Sequence, residues 1–131
     1  MRIAINGFGR IGRSFFRVAF QHPEIEIVAV NDLGDAENLS YLLRRDTVYG
    51  AYEKPVEFKA GQLVVDSHNI FVLNEKDPSK LPWKEMNIDI VVESSGVFST
   101  YEKAKPHLDA GAKRVVITAP AGPETPHVLP G

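Results

Sequence analysis

Short apolar runs alternate with amphipathic stretches along most of this sequence. Four of these runs predict buried strands, over residues 2–6, 25–30, 88–92 and 114–118. Apolar side chains at helical spacing follow three of them, over residues 13–21, 35–45 and 100–110. Asp35 and Thr100 are expected to cap the second and third of these helices, and residues 46–50 are expected to form a turn. Strands that alternate with helices in this way predict a doubly wound, mostly parallel α/β sheet.

The middle and the end of the chain depart from this alternation. Residues 56–73 carry apolar side chains with a period of two, which predicts a small antiparallel hairpin region inserted between the parallel units. Residues 74–87 contain two prolines that disfavour a helix and are predicted to be mostly loop. Pro106 is expected to kink the helix over 100–110 or to loosen its start. Residues 122–131 hold three prolines without periodicity, so we expect a connector there.

The turn that leaves the first predicted strand carries three glycines. Gly7, Gly9 and Gly12 have the Gly-x-Gly-x-x-Gly spacing, and the helical pattern begins directly behind them. In a dinucleotide site the first glycine permits a turn that a Cβ would block, the second lets the backbone approach a pyrophosphate, and the third lets the helix pack on the strand. The N–H groups at the helix start then face the phosphates. The order strand, glycine turn and helix therefore predicts a Rossmann-type fold.

An acidic residue follows the second predicted strand, about twenty residues beyond Gly12. Asp32 stands where this motif places the acid that accepts hydrogen bonds from the adenosine ribose hydroxyls. A 2′-phosphate at the same place would bring like charges together, at a cost of several kcal/mol. The sequence therefore predicts NAD rather than NADP.

Small or polar residues follow each of the four core strands. In an open parallel sheet, ligands bind outside the carboxyl ends of the strands. We therefore expect a flat cofactor to lie across four strand exits, at residues 7–12, 31–33, 94–96 and 118–120.

Composition excludes several classes of function. The 15 basic and 17 acidic residues leave a net charge of -2 without a basic block, so neither nucleic acid nor an anionic membrane is expected as a partner. No apolar run approaches the length of a bilayer span, and no leader precedes the first strand, which makes a cytoplasmic protein the default expectation. The sequence contains no cysteine, which excludes disulfides, thiolate zinc sites and cysteine catalysis within these residues.

The histidines and the tryptophan show no chemical pattern of their own. His22, His68, His107 and His127 lie in different segments without metal-ligand spacing, and we expect them at the surface. Trp83, in a Leu-Pro-Trp loop, is expected to be a packing anchor. Neither residue type predicts a catalytic or metal site.

Taken as a set, the motifs resemble the NAD-binding domain of the phosphorylating glyceraldehyde-3-phosphate dehydrogenase family. The resemblance covers essentially the whole chain in order. The matching segments are 5–13, 30–33, 41–43, 46–50, 77–78, 81–83, 89–98, 103–105, 110–113 and 118–121. It implies an NAD-binding Rossmann domain over residues 1–121, with residues 122–131 starting the connector to a catalytic domain.

The resemblance also implies how each cofactor contact is made. Arg10 and Ile11 would contact the pyrophosphate through their backbone, Asp32 would hold the adenosine ribose, and Lys76 would lie by the adenine. The family's adenosine-side wall matches Ser95, Gly96 and Phe98, and its contact nearer the nicotinamide matches Thr118. Two positions depart from the commoner pattern. Lys76 occupies a position where the family usually has arginine, so a planar stacking or forked contact there is weakened. Tyr49 occupies a position where the family frequently has histidine.

The catalytic half of the family is missing from these residues. Family members are about two and a half times as long, and their Ser-x-Cys-Thr-Thr-Asn motif, histidine base and phosphate-binding residues have no counterpart here. The implied activity is oxidative phosphorylation of glyceraldehyde 3-phosphate in glycolysis, through thiolate attack, hydride transfer to NAD and phosphorolysis. We therefore expect this chain alone to be inactive.

Other identities stay open at the level of the sequence. One is a stand-alone NAD-binding module without chemistry, and another is the cofactor domain of erythrose-4-phosphate dehydrogenase. The DNA directly downstream tests the first alternative, because an in-frame Ser-x-Cys-Thr-Thr-Asn segment would indicate the dehydrogenase and a natural stop codon would indicate a stand-alone module. The residues of the catalytic half would distinguish the second alternative. The full-length family is homotetrameric, and its cofactor domain is completed by a C-terminal helix, whose loss would expose an apolar patch and favour lower stability or self-association.

Overall fold

A computed structural model describes residues 1–45, 56–95, 101–118 and 127–130 of the chain. The elements in chain order are β1 (Arg2–Asn6), α1 (Arg10–Ala19), β2 (Glu26–Asn31), α2 (Ala36–Arg45), β3 (Val56–Lys59), β4 (Gln62–Val65), β5 (His68–Leu73), a 3₁₀ helix (Pro78–Lys80), β6 (Ile90–Glu93), α3 (Tyr101–Asp109), β7 (Arg114–Ile117) and β8 (His127–Pro130). Among the helices of these described ranges, none is both long and apolar enough to cross a bilayer. The turn expected over residues 46–50 lies outside them.

The eight strands of the described residues form one sheet in the order β3-β4-β5-β2-β1-β6-β7-β8. The five central strands, from β5 to β7, pair in parallel, and the outer pairs β3–β4, β4–β5 and β7–β8 are antiparallel. From β1 the chain moves outward to β2 and β5, then returns to the other side of β1 as β6. This reversal between β1 and β6 is a topological switch point. The predicted doubly wound α/β fold is confirmed.

Each face of the sheet has its own apolar core. Alternate side chains of β1 point to opposite faces, so Ile3 and Ile5 pack with α1 and α2, while Ala4 packs with Trp83 and Ala104 of the other side. Phe8 and Phe16 meet edge to face in the first core, with ring centroids 5.6 Å apart. The sheet is therefore covered by helices on one face and by α3 with the Trp83 loop on the other, as a doubly wound fold requires.

A local signal explains where α2 begins. Asp35 precedes α2, and its carboxylate accepts a hydrogen bond from the Glu37 N–H at 3.1 Å, as the sequence predicts for a capping residue. Pro106 lies inside α3, and the carbonyl of Pro106 accepts a hydrogen bond from the Ala110 N–H at 2.9 Å. Thr100, the residue expected to cap α3, lies outside the described residues.

Two strands pair differently from the sequence expectation. The period-two stretch does fold as an antiparallel meander, but its last strand, β5, also pairs in parallel with β2, so the meander extends the main sheet. Residues 127–130, expected in a connector, form β8 beside β7. Proline is tolerated on an edge strand, where its missing N–H faces away from a partner, and β8 is such an edge.

The amino-terminal ends of the strands are joined by Asp89. Its carboxylate accepts hydrogen bonds from the backbone N–H of Arg2 at 2.8 Å and from Lys113 Nζ at 3.0 Å. The Arg2 N–H, and after it Lys113, lower the pKa of Asp89 below its ordinary value. Asp89 thus ties β1 to β6 and to the turn before β7, on the side of the sheet opposite the strand exits.

We expect Asp89→Asn to destabilise the chain by about 1 kcal/mol, because it weakens these charge-assisted bonds at a partly exposed site. A carboxyl whose pKa is lowered by folding stabilises the native state above its unfolded pKa, and this contribution disappears as pH falls through the folded pKa. Urea denaturation between pH 7 and pH 3 should show the difference between variant and wild type shrink in acid. Glu26→Gln, which removes an exposed pair with Arg2, is the control, and an equal effect there would contradict the assignment.

Candidate functional site

A cleft of about 960 Å³ opens at the carboxyl ends of the strands, beside the switch point. Its volume is at the upper end of the range of small-molecule and cofactor sites. The described residues that line it come from the exits of β1, β2, β5 and β6: Asn6, Gly7, Gly9, Asn31, Asp32, Leu33, Glu75, Lys76, Asp77, Pro78, Lys80, Ser94 and Ser95. Three of the four predicted strand exits therefore meet in one cleft.

The three motif glycines meet different surroundings. Gly7 has a φ of +93°, and a Cβ there would lie 2.5 Å from the backbone N and Cα of Ser95. A Cβ on Gly12 would lie 2.2 Å from the carbonyl oxygen of Gly7. A Cβ on Gly9 would meet no atom of the described residues within 4 Å. Gly7 and Gly12 are thus required by the protein itself, whereas Gly9 faces open space at the cleft, where a ligand could approach the backbone.

Helix α1 begins at this loop without a side-chain cap. Gly9 is the N-cap residue and has no side chain with which to cap the helix, and the first turn carries no acidic residue. The first N–H groups of any helix lack intrahelical partners and carry the positive end of its dipole. Arg10 and Ile11, the predicted pyrophosphate contacts, occupy this first turn. The arrangement is suited to binding an anion beside Gly9.

Asp32 holds the glycine loop against the end of β2. Its Oδ2 accepts a hydrogen bond from the Phe8 N–H at 2.7 Å, and its Oδ1 accepts one from the Gly34 N–H at 2.8 Å. The sequence predicted a ribose acceptor at this position but not a brace for the loop. An ionised carboxylate offers about four lone-pair sites, so both roles can be met by the same group.

The segment after β5 forms the wall opposite the glycine loop and carries Lys76. It is fixed to β2 by Asn31, whose Oδ1 accepts from the Glu75 N–H at 2.8 Å and whose Nδ2 donates to the Glu75 carbonyl at 2.9 Å. Asp77 is the N-cap residue of the 3₁₀ helix, and the hydroxyl and N–H of Ser79 lower the pKa of its carboxyl below the ordinary value. Lys76 therefore lies on a constrained stretch that lines the cleft.

The remaining predicted residues fall in different places. Ser95 lines the cleft. Thr118 lies beyond β7, where its hydroxyl donates to the Glu93 carbonyl at 3.1 Å, and it is not part of the described cleft lining. Gly96 and Phe98 lie outside the described residues.

A buried polar group beneath the cleft was missed by sequence reasoning. Glu93 is 1% exposed, and its carboxylate contacts both Asn6 and His107. The prediction of a surface position was wrong for His107, which is fully buried, whereas His22 and His68 are exposed. His107 follows the buried Ala104 by three residues, so both lie on the inner face of α3, and that spacing was the available signal. Trp83 is a buried packing anchor, as predicted.

The sequence of this chain matches a known protein family and several of its members. The family model described as "Glyceraldehyde 3-phosphate dehydrogenase, NAD binding domain" matches residues 1–101. Glyceraldehyde-3-phosphate dehydrogenase from Thermotoga maritima is 51% identical over 99% of this chain and 40% of its own length. The cytosolic enzyme from Trypanosoma brucei brucei is 48% identical over 100% of the chain and 40% of its own length. The Mycoplasma pneumoniae enzyme is 53% identical over 95% and 37%. The chain thus spans about 40% of the length of such relatives.

Proposed function

The chain belongs to the glyceraldehyde 3-phosphate dehydrogenase family as an NAD-binding domain, and we propose that it binds NAD in the cleft at the carboxyl ends of β1, β2 and β6. One observation carries this proposal: Gly9, the N-cap residue of α1 with open space beside it, and the carboxylate of Asp32, which accepts from the Phe8 N–H, lie on one wall of the cleft. A diphosphate and a ribose are neighbours in the adenosine half of the cofactor. On this wall the N–H groups at the start of α1 lie next to a carboxylate acceptor, as a diphosphate and a ribose require.

The proposed contacts follow from this wall. The pyrophosphate lies against the backbone of Gly9, Arg10 and Ile11, and Asp32 accepts from the adenosine ribose. Lys76 lies by the adenine from the segment after β5, and Ser95 closes the opposite side. Gly96, Phe98 and Thr118 enter the proposal through the family resemblance alone.

For a full-length family member that contains this domain we propose NAD-dependent oxidation of glyceraldehyde 3-phosphate with phosphorylation, carried out by a cytoplasmic homotetramer. When bound, NAD accepts the hydride. These residues hold the cofactor and contain no cysteine to serve as the thiol nucleophile, so the chain by itself is expected to bind NAD without turnover. The relative from Trypanosoma brucei brucei is a cytosolic enzyme, which supports this location.

Titration of the purified chain with NAD and NADP, by calorimetry under the same conditions, tests the proposal. We expect NAD to bind and NADP to bind at least about tenfold more weakly, because the 2′-phosphate would face the Asp32 carboxylate. Raising the salt concentration should narrow the difference, since screening weakens the repulsion.

Equal affinity for the two cofactors would contradict the role of Asp32 as the selecting group. Absence of NAD binding by a chain that is folded by circular dichroism would contradict the function itself. Turnover of glyceraldehyde 3-phosphate by the same material would contradict the proposed division between cofactor binding and catalysis.

A further inference from the structure

A hydrogen-bonded set of polar side chains extends from the cleft lining into the buried core. We refer to it as the Glu93 network, and it consists of Asn6, Asn31, Trp83, Glu93, Ser95 and His107. Glu93 and His107 are 1% and 0% exposed. A carboxylate this deeply buried is costly unless several donors surround it. Glu93 itself is absent from the cleft lining, so direct contact with a ligand does not explain its presence.

The two oxygens of Glu93 face different parts of the molecule. Oε1 accepts hydrogen bonds from Asn6 Nδ2 at 2.6 Å and from His107 Nε2 at 2.8 Å. Oε2 accepts from the N–H of Ser95 at 2.9 Å and from its hydroxyl at 2.5 Å. One carboxylate thus holds Ser95 on the cleft side through Oε2, and through Oε1 it is hydrogen-bonded to a residue of β1 and a residue of α3.

The tautomer of His107 follows from its second partner. The Trp83 indole can only donate, and its Nε1 lies 3.0 Å from His107 Nδ1, so Nδ1 must be the acceptor. The ring proton is therefore on Nε2 and is donated to Glu93. His107 acts as a neutral donor that anchors the carboxylate to α3 and to the Trp83 loop.

Asn6 carries the network across to the opposite wall of the cleft. Its Nδ2 donates to Glu93, and its Oδ1 accepts from Asn31 Nδ2 at 2.7 Å. Asn31 in turn holds both backbone polar groups of Glu75, the residue before Lys76. A continuous chain of hydrogen bonds therefore joins Ser95 to the segment that carries Lys76, through the exits of β6, β1 and β2.

We propose that Glu93 is a positioning residue of the cofactor site, which sets the spacing between the Ser95 side and the Lys76 side of the cleft. The inference rests on the proposed binding of NAD. Only a carboxylate presents acceptors to both sides at once, because every partner of Glu93 in the network is a donor. Loss of the Glu93 carboxylate therefore lowers the affinity for NAD, although Glu93 itself does not contact the cofactor.

The first test is Glu93→Gln, which keeps the shape and replaces one acceptor oxygen by an NH₂ group. In either orientation this group faces N–H donors, from Asn6 and His107 or from the backbone of Ser95. We expect NAD to bind about tenfold more weakly, by calorimetry at a temperature where the variant is fully folded. Fluorescence of Trp83, the sequence's single tryptophan, monitors folding in the same samples.

Two amide substitutions at His107 provide a matched pair, and they keep the test valid if Glu93→Gln fails to fold. The amide of glutamine reaches about as far as Nε2, so His107→Gln keeps the donor to Glu93 and loses the acceptor for Trp83. The amide of asparagine reaches about as far as Nδ1, so His107→Asn does the reverse. Both substitutions remove one buried hydrogen bond and should lower the melting temperature similarly. Only His107→Asn is expected to weaken NAD binding, by about fivefold to tenfold.

The outcomes separate this inference from the proposed function. A folded wild-type chain that does not bind NAD contradicts the proposed function. Wild-type binding together with unchanged affinity in Glu93→Gln overturns the positioning role alone. Equal NAD affinities in His107→Asn and His107→Gln likewise overturn it, because a purely structural role would make the two variants alike.

Discussion

Gly12→Ala is expected to destabilise the chain by about 3 kcal/mol, because its new methyl group has no space. The added Cβ would lie 2.2 Å from the Gly7 carbonyl oxygen and 2.9 Å from the hydroxyl oxygen of Ser94. That carbonyl cannot move aside easily, since it accepts a hydrogen bond from the Ser94 hydroxyl at 2.6 Å, while the N–H of Gly7 donates to Asn31 at 2.7 Å. Urea denaturation followed by circular dichroism measures the change in the free energy of unfolding.

Gly9→Ala is the matched control for this prediction. Gly9 has a φ of -79°, which alanine adopts without strain, and in the part of the chain that the structure describes no atom lies within 4 Å of the added Cβ. The change in stability should stay within about 1 kcal/mol. Comparable stability losses in the two variants would show that the glycine loop is not packed against β1 and β6 as described.

The parallel core and the glycine loop could be predicted because their signals are local. An apolar run, a glycine turn and a helical period lie next to one another in the first twenty residues, and each constrains the backbone where it stands. Asp35 likewise caps the helix that follows it directly. Such features need no information about distant parts of the chain.

The pairing of the outer strands depends on contacts that sequence patterns do not record. The period-two pattern of β5 predicts a half-buried strand. This pattern is compatible both with the antiparallel pairing to β4 and with the parallel pairing to β2, and the structure contains both. The tail containing β8 has too many prolines to predict a strand, yet an edge position tolerates them. In both cases long-range pairing decided what local propensity left undetermined.

The candidate site likewise contains residues that local spacing predicts and residues that only long-range contacts bring together. The residues of the glycine loop and Asp32 follow from spacing, whereas the Glu93 network joins residues up to 101 positions apart in the chain. Nothing near His107 in the sequence indicates that its partners are Glu93 and Trp83. The polar support under a binding site is assembled by the fold, and it becomes visible only when the strand exits are brought together.

Asp32→Ala is expected to weaken NAD binding about 100-fold or more, because it removes two contributions at once. The proposed hydrogen bonds from the ribose hydroxyls to a carboxylate are worth about 1.5–3 kcal/mol each. The substitution also releases the N–H groups of Phe8 and Gly34, which the carboxylate holds at 2.7 and 2.8 Å, so the glycine loop loses its brace. Calorimetric titration with NAD measures the loss.

Asp35→Ala separates this effect from a general change in charge or in helix capping. Asp35 is also an exposed aspartate in the loop after β2, but it caps α2 and is not part of the described cleft lining. Its removal should cost about 1 kcal/mol of stability and leave NAD affinity within about twofold. If Asp32→Ala bound NAD as well as Asp35→Ala does, the ribose would have to lie elsewhere, and the wall formed by Gly9, the start of α1 and Asp32 would not be the cofactor site.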